Sequence, residues 1–162
     1  MIVNLLLALS LLSALGSGLI AGVFFAFSAF VMAALARLPP KDGIAAMQSI
    51  NVAVLNRMFL GVLFGTGLVS LILAATSLLA GPTSGAWYAL AGCILYLLGT
   101  LGVTIAFNVP LNDRLARTAP DSAEGASLWQ HYLARWTAWN TVRTVAAAGA
   151  MALFILALRQ LG

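Results

Sequence analysis

From Met58 to Asn112 the chain carries no charged residue, and from Ile2 to Ala36 it carries none either. A helix needs about 20 apolar residues to cross a hydrocarbon core of about 30 Å, so the first of these runs holds two spans and the second holds one. A further uncharged run, Thr144 to Leu158, becomes a fourth span if Arg143 sits at an interface with its head snorkelling toward water. Only 7% of the residues are charged, against about 25% in soluble domains. The expected product is an all-α bundle of four transmembrane helices, one integral membrane domain over residues 1–162.

The opening "MIVNLLLALSLLSALGSG" has no basic residues ahead of its apolar run, and that run outlasts the roughly 7–15 residues of a secretory signal, so it reads as a retained helix. Cys93 is the single cysteine and lies mid-span, which rules out an internal disulfide and suits a small packing residue. The net charge of +4 has a topological meaning. Arg37, Lys41 and Arg57 flank the first connection, and Arg114, Arg117, Arg135 and Arg143 flank the third. The second connection, "AGPTSGA", has no charge, and only Arg159 lies at the opposite end. The positive-inside rule places connections one and three in the cytoplasm and both termini outside, in a cell (inner) membrane. The basic residues thus serve orientation in a lipid bilayer, not nucleic-acid binding.

Boundaries follow from local signals. The first helix runs from about Val3 to Arg37 and stops at Pro39 and Pro40. Asp42 is expected to cap a second helix that continues without a breaker to about Ala80, where Gly81 and Pro82 turn the chain. The third runs from about Ala86 to Asn108 and is kinked or ended by Pro110; Asp121, with Glu124 three residues later, is expected to open the fourth, residues 121–160. The second and fourth would each be roughly 38 residues, about 57 Å at 1.5 Å per residue, and would therefore extend beyond the membrane into the cytoplasm. "GLIAG" (Gly18, Gly22) and "GVLFG" (Gly61, Gly65) are GxxxG patterns, read first as packing within the bundle and second as faces for a homo-oligomer.

Counted from the outer helix ends, Phe27, Ser28, Arg57, Asn108 and Asn140 fall at nearly one depth, near the cytoplasmic edge. At about 100° per residue, Trp129, Tyr132, Trp136, Trp139, Asn140 and Arg143 share one face of the last helix, and His131 and Arg135 point elsewhere. Met47, Gln48, Asn51, Leu55 and Met58 share a face of the second helix. Thr100, Thr104 and Asn108 stack at four-residue spacing on the third. Amides inside a bilayer need partners, and Asn51, Asn108 and Asn140 can serve one another or a ligand. Arg143 keeps its charge, and none of Asp42, Asp113, Asp121 and Glu124 is placed by sequence to neutralise it, so an anionic or enolic ligand is the attractive partner. Plainer readings exist: an aromatic belt, amides that tie helices together, and an arginine that meets lipid phosphate. One His, one Cys and no acidic pair at ligand spacing argue against a metal site. The spans lack the deep ionisable residues of a channel or pump.

The stretches "GVFFAFSAFVMAAL", "AMQSIN", "NVPLN" and "WTAWNTVRT", in that order, resemble the DUF1772 family of small four-helix membrane proteins, often labelled anthrone oxygenase-like. The resemblance implies an oxygenase that uses no metal or flavin and takes a hydrophobic aromatic small molecule, with Asn51, Asn108, Pro110, Asn112, Trp136, Trp139, Asn140 and Arg143 as site candidates. In such a site Arg143, Asn140 and Asn108 would stabilise an enolate oxygen, while Phe27, Trp136 and Trp139 would stack on the rings. His131 is the base by pKa although it faces away from the stripe, and Tyr132 or water is the alternative. The competing reading is a non-catalytic membrane protein that binds a lipid, quinone or partner helix in the same place.

Overall fold

The computed structural model describes residues 2–162 and contains five helices: α1 (Ile2–Leu35), α2 (Pro40–Ala53), α3 (Arg57–Ala80), α4 (Ser84–Ala116) and α5 (Ala123–Leu161). Four of them, α1, α3, α4 and α5, are long and apolar enough to cross a membrane. The chain is an all-α, multi-pass membrane protein. Successive long helices run antiparallel, α1 and α5 sharing the longest contact. Both termini and the Gly81 turn lie at one end, called here the terminal end, and the basic connections at the other. Gly81 closes α3 with φ +84°, a conformation that a side chain would disfavour.

Helix α2 is a separate element and not the start of the second span, as the sequence suggested. The chain breaks at Val54–Asn56, and Asn56 serves both sides of the break. Its Oδ1 accepts from Phe59 N at 3.0 Å to cap α3, and its Nδ2 donates to the Ala53 carbonyl at 2.9 Å to close α2. The break turns Arg57 and Met58 outward, so the face predicted to run from Met47 to Met58 stops short of Met58. Arg57 is exposed and does not join the buried polar level. At the start of α2 the cap is Pro39 with Pro40 at the first helical position, and Asp42 falls in the first turn. A proline there loses no hydrogen bond and its fixed φ suits the helix. Gln48 pins α2 to the end of α4 by donating to the Leu115 and Thr118 carbonyls at 2.8 and 3.0 Å. Gly43 lets α2 approach α5: a Cβ there would stand 2.8 Å from the Trp129 ring.

Helix α4 continues through Pro110 to Ala116 instead of ending near Asn108. The backbone just before the proline is wound as a π-helix over Thr104–Asn108, following another π stretch at Leu95–Gly102. The wider turn relieves the clash of the proline ring with the preceding turn, where no N–H is available to close an ordinary bond. The start of α5 is capped by Ser122, not Asp121: Ser122 Oγ accepts from Gly125 N at 2.9 Å. Of the GxxxG glycines, Gly18 meets Met151, whereas Gly22, Gly61 and Gly65 have open space where a Cβ would stand. Those three glycines do not mark close helix approaches within the bundle. Cys93 is buried in the core at the terminal end among Leu73, Tyr96 and Phe154.

Candidate functional site

A distorted turn of backbone prepares the site. α1 is wound as a π-helix over Phe27–Val31, and just before it Asn140 of α5 inserts its amide: Nδ2 donates to the Phe24 carbonyl and to Ser28 Oγ, both at 2.7 Å. A side chain inserted into a helix's own hydrogen-bond ladder is one of the recognised causes of such a distortion. The oxygen of the same amide accepts from Arg143 Nη2 at 2.7 Å. Asn140 is fully buried, and its amide therefore orients the guanidinium rather than reaching a ligand.

Arg143 is 5% exposed. It does not snorkel toward an interface but points into the bundle. Its Nη1 donates to Thr104 Oγ1 at 3.2 Å, and Thr104 in turn donates to the Thr100 carbonyl at 2.7 Å. The guanidinium carbon lies 4.0 Å from the centre of the Phe24 ring and 5.3 Å from that of Trp136, both cation–π distances. Its Nε has no partner. Asp42, Asp113, Asp121 and Glu124 are all exposed, so none neutralises this buried charge. An arginine held by neutral groups and rings, with donor capacity left over, is set up to receive an anionic oxygen.

A second network lies nearer the basic end. Trp136 Nε1 and Tyr132 Oη both donate to Asn112 Oδ1, at 2.7 and 2.8 Å, and Asn51 Nδ2 approaches Tyr132 Oη at 3.5 Å. Trp129, Tyr132 and Trp136 stack successively along α5 at 5.6 and 5.9 Å between ring centres, and Phe27 packs against Trp136 at 5.7 Å. These rings face the bundle interior, so the aromatic-belt reading does not hold for them.

Between the two networks is a cavity of about 320 Å³, mostly apolar, with Phe24, Phe27, Met47, Phe59 and Leu63 in its wall. Of the sequence candidates, Phe27, Asn51, Asn112, Trp136 and Arg143 line it. Asn108 is buried beside it, donating to the Trp136 carbonyl at 3.2 Å with its own oxygen unpaired. The three asparagines, expected to serve one another or a ligand, do not pair with one another: each donates to a backbone carbonyl or an aromatic hydroxyl instead. Tyr132 stands behind Asn51 and Asn112. Trp139 is half-buried outside the cavity, stacked on Phe107 at 3.8 Å. His131 is exposed on the opposite side of α5, away from any ligand in the cavity.

Two roles escaped the sequence reading: Phe24 as the ring under Arg143, and Thr104, placed in a threonine ladder but not assigned to Arg143, as its neutral partner. Thr104 had a signal in its four-residue ladder, and Phe24 had none beyond its place in an aromatic-rich stretch. Among the described residues no group of three His, Cys, Asp or Glu side chains comes together to hold a metal ion. A larger depression at the basic end, lined by Asp113, Arg114, Arg117 and Glu124, carries exposed charges, so the mostly apolar cavity beside the buried Arg143 is the better candidate.

Neither a curated protein nor a solved structure matches the chain. A family model described as anthrone oxygenase matches residues 53–153. The match takes in "NVPLN", "WTAWNTVRT" and the cavity residues of α3, α4 and α5. The stretches "GVFFAFSAFVMAAL" and "AMQSIN" lie outside it, so the resemblance rests on a narrower part of the chain than their inclusion suggested. Covering well over half of the sequence, the match assigns the chain to the anthrone oxygenase family.

Proposed function

We propose that this protein is a membrane oxygenase that oxidises an enolisable, anthrone-like aromatic in the cavity without a metal or flavin. The observation that carries the reading is the buried Arg143, unpaired with any carboxylate and opening onto an apolar, ring-lined chamber. A benzylic C–H beside a carbonyl loses its proton more readily when the resulting enolate oxygen is held by preorganised donors in a mostly apolar site. The guanidinium supplies that stabilisation, Thr104 and Asn140 fix its direction, and Phe27 and Trp136 hold the ring plane. The electron-rich enolate carbon then reduces O₂ and forms a C–O bond to it. The hydroperoxide so formed loses water, leaving a new carbonyl: one O₂ is consumed and one water released per quinone.

No His, Asp, Glu, Lys or Cys lines the cavity, so the proton leaves to water, and Arg143 acts by making the C–H more acidic. That same lack of a base favours one other reading, a protein that binds such a molecule without transforming it. Oxygen uptake by the purified protein with anthrone separates the two. The oxygenase reading expects turnover that falls roughly 10²–10³-fold in Arg143→Gln, the usual loss when an oxyanion donor is removed. Binding with no O₂ uptake above the detergent blank sinks it and leaves the binding protein.

A further inference from the structure

The amide network at the basic end of the cavity has a fixed polarity. The indole Nε1 of Trp136 can only donate, so the Asn112 atom 2.7 Å away must be its oxygen. That oxygen also takes the Tyr132 proton at 2.8 Å. With its proton committed, Tyr132 Oη offers only lone pairs, so the Asn51 amide turns its NH₂ toward it at 3.5 Å. Two groups are left without a protein partner: the NH₂ of Asn112 and the oxygen of Asn51. Both residues line the cavity. A donor and an acceptor therefore flank the Tyr132 hydroxyl, separated from the Arg143 guanidinium by the Trp136 indole.

The geometry points to Asn51 and Asn112 as a specificity pair that recognises a neutral hydroxyl on the ligand, at the far end of the ring system from the oxygen held by Arg143. A hydroxyl donates to Asn51 Oδ1 and accepts from Asn112 Nδ2, satisfying both at once. A carboxylate there meets the Asn51 oxygen with like polarity, and a bare C–H leaves both amide groups unpaired. The substrate class that follows is a flat apolar ring system with an ionisable oxygen at one end and an uncharged hydroxyl at the other. This rests on the reading that Arg143 holds a ligand oxygen in the cavity.

Three stable probes test it by calorimetry on the purified full chain: 2-naphthoate, 6-hydroxy-2-naphthoate and 2,6-naphthalenedicarboxylate. The carboxylate stands in for the enolate oxygen. The hydroxy compound should bind roughly five- to tenfold tighter than 2-naphthoate, and the dicarboxylate more weakly than either. Asn112→Ala should erase the preference for the hydroxyl while leaving 2-naphthoate within about twofold. Because Asn112→Ala also frees Tyr132 and Trp136, Asn51→Leu, which gives up only a long contact, is the second variant and should do the same. Arg143→Gln should weaken all three probes together and keep the ratio. Equal binding of the first two probes, both weakened by Arg143→Gln, overturns the hydroxyl pair and leaves the Arg143 site standing. A preference that survives in both asparagine variants also overturns it. Failure of the unaltered protein to bind any probe overturns the Arg143 site, and the pair with it.

Discussion

Toward the terminal end the bundle interior is filled by Leu6, Leu73, Tyr96, Ala150 and Phe154, and the polar side chains among them are short hydroxyls. Toward the basic end the interior holds Arg143, Asn108, Asn112 and Asn140, joined to their neighbours by hydrogen bonds yet with Arg143 Nε and Asn108 Oδ1 left unpaired, around a cavity. One sequence thus builds two kinds of core along the same helices. The terminal half gains from apolar burial, at about 25 cal/mol per Å², and from tight helix contacts. The basic half gives up packing to keep a chamber and a charge, and needs a hydrogen-bond network to hold that charge in one place. Stability should therefore depend chiefly on the terminal half and activity on the basic half.

The sharpest break of that division is Arg143→Gln. Loss of the guanidinium should lower O₂ uptake with an anthrone by roughly 10²–10³-fold, equivalent to about 2.7–4 kcal/mol of transition-state stabilisation. The thermal midpoint should stay put or rise, because an unpaired buried charge is itself a cost. A fall of many degrees in the midpoint would mean that Arg143 holds the bundle together, and the contrast between the halves would fail. The opposite pattern is expected of Gly92→Val. A Cβ at Gly92 would lie 2.7 Å from the Phe154 ring, in the buried core of the terminal half. Overpacking of this kind costs about 1–3 kcal/mol. The variant should melt earlier yet turn over normally per folded molecule, read from activity against the folded fraction in the same sample.

Asn140→Leu probes the seam between the two. It removes the acceptor of Arg143 Nη2 and leaves the Phe24 carbonyl and Ser28 without their donor. Leaving buried groups unpaired costs roughly 1–3 kcal/mol, part of it relieved by the added apolar volume. Activity should fall about tenfold because the guanidinium loses its direction, not its charge. A loss as complete as that of Arg143→Gln would show that Asn140 itself meets the reacting atoms.

The four spans were legible because they follow from charge alone: runs without a charged residue, bounded by Arg, Lys and proline. The face of α5 was legible for a related reason. That helix is continuous from Ala123 to Leu161, so the 100° rule carries from Trp129 to Arg143 without losing register. α1 and α4 defeat the same rule, since their π turns shift every later residue, and nothing in "FSAFV" or "TIAFN" announces a π turn. In α1 the distortion adjoins an amide delivered from Asn140, more than a hundred residues away in sequence. The Val54–Asn56 break was hidden because apolar residues flank it on both sides and an asparagine in mid-helix reads as an ordinary polar position. Only the structure shows Asn56 bonding in both directions.

The smallest expected effect bears on the terminal half alone. Ser10, Ser13 and Ser17 of α1 and Ser70 and Ser77 of α3 are buried with hydroxyls that have no partner. Serine in a helix usually returns its proton to the carbonyl four residues back, as Thr76 does to Ile72 at 2.8 Å; these five do not. A hydroxyl desolvated without a bond is unfavourable by about 1–3 kcal/mol, whereas serine's small volume lets helices come close, which alanine does equally well. Ser13→Ala and Ser17→Ala should therefore leave the thermal midpoint unchanged or raise it, a gain of up to about 1 kcal/mol in stability each, with activity untouched. If either lowers stability by more than that, the hydroxyl is bonded in the membrane-embedded protein, through a water or a rotated side chain. The terminal half would then rely on a polar network too, and its difference from the basic half would lie in the cavity and Arg143, not in how each treats buried polarity.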